Sequence, residues 1–206
     1  MAWELALLYL AWLIGGASPG PATLALASTG MARGRRAALG LALGVLVGSA
    51  FWGVLAALGF GAVMLSAGWV AEALRYAGAG YILWLAFKSL RSAAKPGAPD
   101  YAAAAPAAPM RAFRRGVALH ITNPKAIFSW AAIFAVGVAP GAGAAEVIAF
   151  GLFMYTGSIV VFIGYAHLFS IEGAMRRYAA GRRWFEAAFG VLFGAAALAI
   201  LRTKPS

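Results

Sequence analysis

The sequence predicts an all-α integral membrane protein: six transmembrane helices arranged as two inverted three-helix repeats. Three observations lead there. The first is composition. Of 206 residues, 63% are hydrophobic and 11% charged, where a soluble domain carries about 45–50% apolar and about 25% charged residues. The second is the set of stretches without charge, residues 5–32, 37–71, 126–145 and 147–171. A helix crossing the hydrocarbon needs roughly 20 mostly apolar residues, and each stretch holds that many. The third is the placement of the basic residues, which fall between these stretches and not within them. The apolar runs are continuous and rich in Ala, Leu and Gly, so they lack the period-two alternation of a membrane β-barrel.

Taken in order, the spans are expected at 4–28, 38–65, 70–88, 113–138, 145–169 and 184–201. The first begins with Glu4 and has no Lys or Arg before its apolar run, unlike a secretory signal, so it is read as a mature span. In the second, Gly40, Gly44 and Gly48 recur every four residues. They form one face where another helix can approach closely. That face serves either internal packing or a homodimer. The third span opens with Glu72 and Arg75 at i,i+3, a pair that can neutralise itself. The seven Trp and seven Tyr suit interfacial belts and packing.

The first loop holds Arg33, Arg35 and Arg36; the third Lys88, Arg91, Lys95, Arg111, Arg114 and Arg115; the fifth Arg176, Arg177, Arg182 and Arg183. Thirteen of 17 basic residues thus sit in odd-numbered loops, and the second and fourth loops hold none. Positive loops stay in the cytoplasm, so both termini are expected outside. The net charge of +11 is then a matter of topology and contact with the lipid bilayer, and no nucleic-acid partner is expected. Residues 95–110 contain Lys95-Pro96-Gly97-Ala98-Pro99-Asp100, Pro106 and Pro109, a flexible cytoplasmic linker by composition. It separates a first repeat, 1–94, from a second, 111–206. Three is odd, so the second repeat must lie inverted relative to the first, as in many secondary transporters.

Several function classes fall away. With no Cys and two His, neither a thiol chemistry nor a histidine-rich metal centre is available. No cofactor or metal is expected. There is no G-x-x-x-x-G-K-[ST] loop, no H-E-x-x-H and no persuasive Ser/His pair, so neither a nucleotide-driven pump nor an intramembrane enzyme fits. A channel or exporter of small cations remains as an alternative, but such a path wants carboxylates at membrane depth and the sequence offers almost none.

Two spans are interrupted. The first contains Gly15-Gly16-Ala17-Ser18-Pro19-Gly20-Pro21. Proline lacks an N–H and clashes with the carbonyl four residues back, so Pro19 frees the carbonyl of Gly15 and Pro21 that of Ala17. The fourth contains His120-Ile121-Thr122-Asn123-Pro124-Lys125, where Pro124 frees the carbonyl of His120. An unsatisfied backbone group in lipid costs several kcal/mol, so such breaks persist only inside protein or beside a wet cavity. Both fall in the first helix of a repeat, and paired interruptions of this kind point to a midplane substrate site. The chemistry suits a zwitterion. Free N–H groups near Pro21 suit a carboxylate, freed carbonyls suit an ammonium, and Lys125 can add a second carboxylate contact. Lys125 either serves the site or snorkels to the interface. His120 either carries protons, being the mid-span group that titrates near neutrality, or satisfies a neighbouring helix.

Ser18-Pro19-Gly20-Pro21, then Gly30-Met31-Ala32-Arg33-Gly34-Arg35-Arg36-Ala37, then Gly78-Ala79-Gly80-Tyr81-Ile82-Leu83-Trp84-Leu85 and Gly116-Val117-Ala118-Leu119-His120-Ile121-Thr122-Asn123-Pro124-Lys125-Ala126 resemble the lysine exporter (LysE/RhtB) family. The resemblance covers residues 4–138 in motifs and the last two spans in hydropathy only. It implies an inner-membrane exporter of amino acids or close derivatives, often driven by proton exchange. It carries the site onto Pro19, Gly20, Pro21, Asn123, Pro124 and Lys125, and Gly15, Ser18, Thr23 and Thr122 adjoin them. Two positions depart from the family pattern. Ala22, followed by Thr23, stands where a polar residue is usual, and His120 stands where Asn is common.

Overall fold

The computed structural model describes residues 2–66, 108–139, 141–171 and 173–202, with single positions between 76 and 94. The elements are α1 (Ala2–Ala17), α2 (Pro21–Ser66), α3 (Pro109–Ile121), α4 (Pro124–Gly137), α5 (Ala144–Leu168) and α6 (Ala174–Arg202). No strand occurs among the described residues. The expected third span, 70–88, and linker, 95–110, lie mostly outside them, although the positions described from Tyr76 to Ala94 are helical.

Two expected loops are helical instead. α2 runs through Arg33, Arg35 and Arg36 and is bent only at Gly34, whose φ of 75° and ψ of −179° are non-helical. That conformation is essentially restricted to glycine, so a single residue performs the reversal assigned to a loop. α6 begins at Ala174, well before the expected 184, and contains Arg176, Arg177, Arg182 and Arg183. Arginine and alanine are good helix formers. Charge keeps these residues out of lipid without keeping them out of a helix.

Both expected breaks are present. α1 stops at Ala17 and α2 starts at Pro21; α3 stops at Ile121 and α4 starts at Pro124. Each restart places proline in the first helical turn, where its missing N–H costs nothing. At 1.5 Å per residue, the 13 residues of α3 and 14 of α4 reach about 20 Å each. Neither alone crosses a hydrocarbon core of about 30 Å. Among the described helices, Pro21–Gly59 and Ala144–Leu168 are long and apolar enough to do so, and Trp3–Ala17 and Pro124–Gly137 are shorter apolar helices.

Contacts give the helix directions. Along α1, Tyr9, Trp12 and Ala17 meet Thr156, Ser158 and Tyr165 in turn, so α1 and α5 run parallel. Beyond the Gly34 bend, Arg35 meets His167 and Leu46 meets Tyr155, so this arm of α2 returns antiparallel to α5. Gly40, Gly44 and Gly48 face Pro109, Phe113 and His120, so α3 runs parallel to the returning arm. The two broken helices therefore run in opposite senses.

The glycine face of α2 is consumed within the chain. A Cβ on Gly44 would lie 2.0 Å from the Phe113 carbonyl oxygen, and one on Gly116 would lie 2.3 Å from that of Leu41. Any homodimer must use another surface. Around this crossing lies a core of Leu26, Leu41, Val45, Phe162 and Ala166. A second core gathers Trp130, Phe134 and Met154. Large apolar side chains at helical spacing stay outward: Leu43, Val47, Val54 and Leu58 on α2, and Ile148 and Leu152 on α5. This outward greasy face is what a bilayer accommodates.

Candidate substrate site

The first break is shaped by its own short polar side chains. The Ser18 hydroxyl donates to the Gly15 carbonyl at 2.7 Å. The Thr23 hydroxyl accepts the Gly20 N–H at 2.9 Å and reaches the Ser18 carbonyl at 3.1 Å. Thr23 thus ties the start of α2 to the residues that interrupt it. At the second break, the Asn123 side-chain oxygen accepts the Lys125 N–H at 3.1 Å, capping α4. This is the ordinary use of asparagine at a helix start, and it orients the Lys125 backbone.

Lys125 joins the two breaks. Its ammonium donates to the Ser18 carbonyl at 2.9 Å and to the Ser18 hydroxyl oxygen at 2.5 Å. The residue is 8% exposed, so the charge does not snorkel to an interface. No acidic side chain is among its described partners. Gly20 supplies the room: a Cβ there would lie 3.3 Å from Lys125 Cδ and 3.4 Å from Nζ. A desolvated ammonium costs several kcal/mol unless paired and hydrogen-bonded, and here two neutral oxygens carry that compensation.

Ser18, Gly20, Thr23, Asn123 and Lys125 therefore come together, with Gly15 and Pro19 adjoining them in the first break. Thr122 stands apart. It is exposed, and its hydroxyl folds back on the Ala118 carbonyl at 2.9 Å. Pro21 and Pro124 are exposed and act on the backbone, by starting α2 and α4. His120 is buried beneath Gly48 and edge-on to Phe162, with ring centroids 5.3 Å apart. Its Nδ1 has no hydrogen-bond partner among the described residues.

The carbonyls expected to be free are each engaged. The Gly15 carbonyl takes the Ser18 hydroxyl, the Ala17 carbonyl takes the Tyr165 hydroxyl at 2.5 Å, and the His120 carbonyl takes the Asn123 N–H at 3.2 Å. The carbonyl that holds an ammonium is that of Ser18. Trp52 likewise donates to the Ile121 carbonyl at 3.2 Å. Each break is thus served by an aromatic donor from another helix, Tyr165 for the first and Trp52 for the second. Sequence reasoning missed both, because each lies far along the chain and resembles an ordinary belt aromatic.

The chain matches the LysE type translocator family over residues 13–204, so the match extends through the last two helices. A threonine efflux protein of Salmonella typhi is 29% identical over 182 residues, covering 85% of this chain and 86% of that protein. A homoserine/homoserine lactone efflux protein of Salmonella typhimurium is 30% identical over 178 residues, 85% of each. A leucine efflux protein of Klebsiella pneumoniae is 34% identical over 132 residues, 61% of each. No solved structure is significantly similar. The chain belongs to the LysE type translocator family. It is a membrane transporter and not an enzyme.

Proposed function

We propose that this LysE-type translocator exports amino acids or close derivatives across the bacterial inner membrane by alternating access, driven by proton exchange. The observation that carries the reading is the buried Lys125 ammonium at the meeting of two helix breaks, held by neutral oxygens alone among its described partners. A substrate carboxylate supplies the opposite charge that this site lacks. The relatives named above handle threonine, homoserine, homoserine lactone and leucine. These compounds share an α-ammonium group next to a carbonyl carbon and differ in their side chains. Recognition centred on backbone oxygens and one lysine suits that shared part.

The opposite senses of the two broken helices support an inverted pair of repeats whose rocking opens the site to each side in turn. His120 is the proton carrier in this reading. It is buried next to the second break, and its Nδ1 has no hydrogen-bond partner among the described residues. Proton exchange needs a group that gains and loses a proton between the two conformations, and an imidazole ring can do both.

Flux from proteoliposomes tests both statements. Vesicles preloaded with labelled L-threonine, L-homoserine or L-leucine should release one or more of them, faster under an imposed pH gradient. Lys125→Ala should lower that release at least tenfold. His120→Ala should keep substrate binding while losing the acceleration by the gradient. Absence of release for every amino acid from folded, inserted protein would remove the substrate class. Unchanged gradient dependence in His120→Ala would remove its coupling role.

A further inference from the structure

The Lys125 ammonium is held by two oxygens of a single residue, Ser18. The Ser18 hydroxyl has one proton, and it is given to the Gly15 carbonyl. Its lone pairs are left as pure acceptors. Beside it, the Ser18 carbonyl points the same way and accepts from Thr23 as well as from Lys125. Serine thus presents two oxygens with no proton to offer, fixed in place by Gly15 on one side and Thr23 on the other. That is a cation site built from neutral groups, closed by the Gly20 backbone against the lysine stem. The lysine occupant is a primary alkylammonium tethered to α4, and a substrate amino acid carries the same primary ammonium on its α-carbon.

From this geometry we infer that Lys125 is a tethered stand-in for the substrate's α-ammonium, and that loading exchanges the two. The incoming ammonium takes the Ser18 carbonyl and hydroxyl oxygens. Lys125 is released from them and turns to the substrate's carboxylate or ester oxygen. The inference rests on the export reading. It adds that Ser18 and Lys125 form one ammonium subsite with two alternative occupants. The exchange also leaves the net charge of the buried site unchanged, because a zwitterion adds none. Without substrate, Lys125 rests on neutral oxygens. With substrate, one ammonium keeps that seat and the other meets a carboxylate, so no bare charge is left in the low-dielectric interior. A cation that could not displace Lys125 would not load, and an anion without an ammonium would leave the Ser18 seat to be refilled by the lysine.

Propylammonium tests the inference, because Lys125→Ala deletes the atoms of that ion from the side chain. Thermal unfolding of the purified full-length protein is followed while propylammonium chloride is titrated, with sodium chloride matched for ionic strength. Lys125→Ala should be stabilised saturably, with an apparent affinity at least tenfold above that of the unsubstituted protein, whose own lysine competes. Adding Ser18→Ala to Lys125→Ala should weaken the affinity at least threefold. Equal responses of the unsubstituted protein and folded Lys125→Ala, or no response in either, would overturn the inference. Ser18→Ala alone covers a Lys125→Ala that does not fold. It should weaken L-threonine binding at least tenfold and change binding of 2,3-dihydroxybutanoate, the analogue with a hydroxyl in place of the ammonium, less than twofold. Equal losses would overturn the exchange. If propylammonium binds Lys125→Ala as expected while no amino acid is released from vesicles, the export reading fails and the ammonium subsite stands with another amine as cargo.

Discussion

Thr23 shows how one hydroxyl supports the site without needing to touch cargo. It accepts the Gly20 N–H and reaches the Ser18 carbonyl, so it fixes the oxygen that holds Lys125. Thr23→Val keeps the shape and removes both bonds. A buried donor left without a partner costs about 1–3 kcal/mol, so denaturant unfolding of Thr23→Val should show a loss of that size, accompanied by weaker substrate binding. A loss within about 0.5 kcal/mol, the ordinary scatter of surface changes, would mean that the break holds its shape unaided. Asn123 illustrates a different division of labour. The sequence marks it as a polar residue at membrane depth and so as a site residue. The structure spends its oxygen on capping α4, and its influence on the site is through the backbone of Lys125.

Among elements, the glycines of α2 and α3 do the most with the least. Their crossing brings backbones so close that a single methyl group has nowhere to go: a Gly44 Cβ meets carbonyl and amide atoms of α3 at 2.0–2.9 Å. Backbone cannot swing aside as a side chain can. Gly44→Ala should therefore separate the helices and cost about 1–3 kcal/mol, the usual range for overpacking. Gly164→Ala on α5 meets nothing within 4 Å and should be neutral or stabilise by up to about 1 kcal/mol, through helix propensity. Parallel unfolding titrations in mixed micelles compare the two. Equal effects would show that the crossing is looser than drawn. The breaks follow the same logic of local chemistry. Pro19, Pro21 and Pro124 could be read as helix interruptions at once, because proline acts on its own backbone. Tyr165 and Trp52, which quench the exposed carbonyls, could not be read, since their roles depend on which helices pack together.

At the scale of the whole molecule, the chain's lack of cysteine makes its orientation directly measurable. The positive-inside rule leads us to propose that residues near 33 lie in the cytoplasm and that the uncharged turn near 141 faces outside. Ala32 and Ala144 are both exposed. In spheroplasts, a membrane-impermeant maleimide should label Ala144→Cys and leave Ala32→Cys unlabelled until the membrane is opened. The reverse pattern would invert the topology and, with it, the face that loads. The same charges make the basic segments conspicuous in the sequence without revealing their structure. The inside rule counts arginines and is blind to whether they lie in a loop, as expected at 33–36, or on a continuous helix bent at Gly34.

What the sequence determined by itself is everything set by neighbours along the chain: apolar runs long enough to span, prolines that stop helices, a glycine face spaced for close approach, and motifs sufficient to place the family. These are local or compositional properties, and the same residues impose them wherever the helix lies. Only the tertiary structure decided that the glycine face meets α3 within one chain, that Ala17 and Ile121 find their donors on distant helices, and that Lys125 reaches across to Ser18. Those outcomes depend on helix direction and register. In an apolar medium many registers bury similar surface, and the choice among them rests on where buried polar groups find partners.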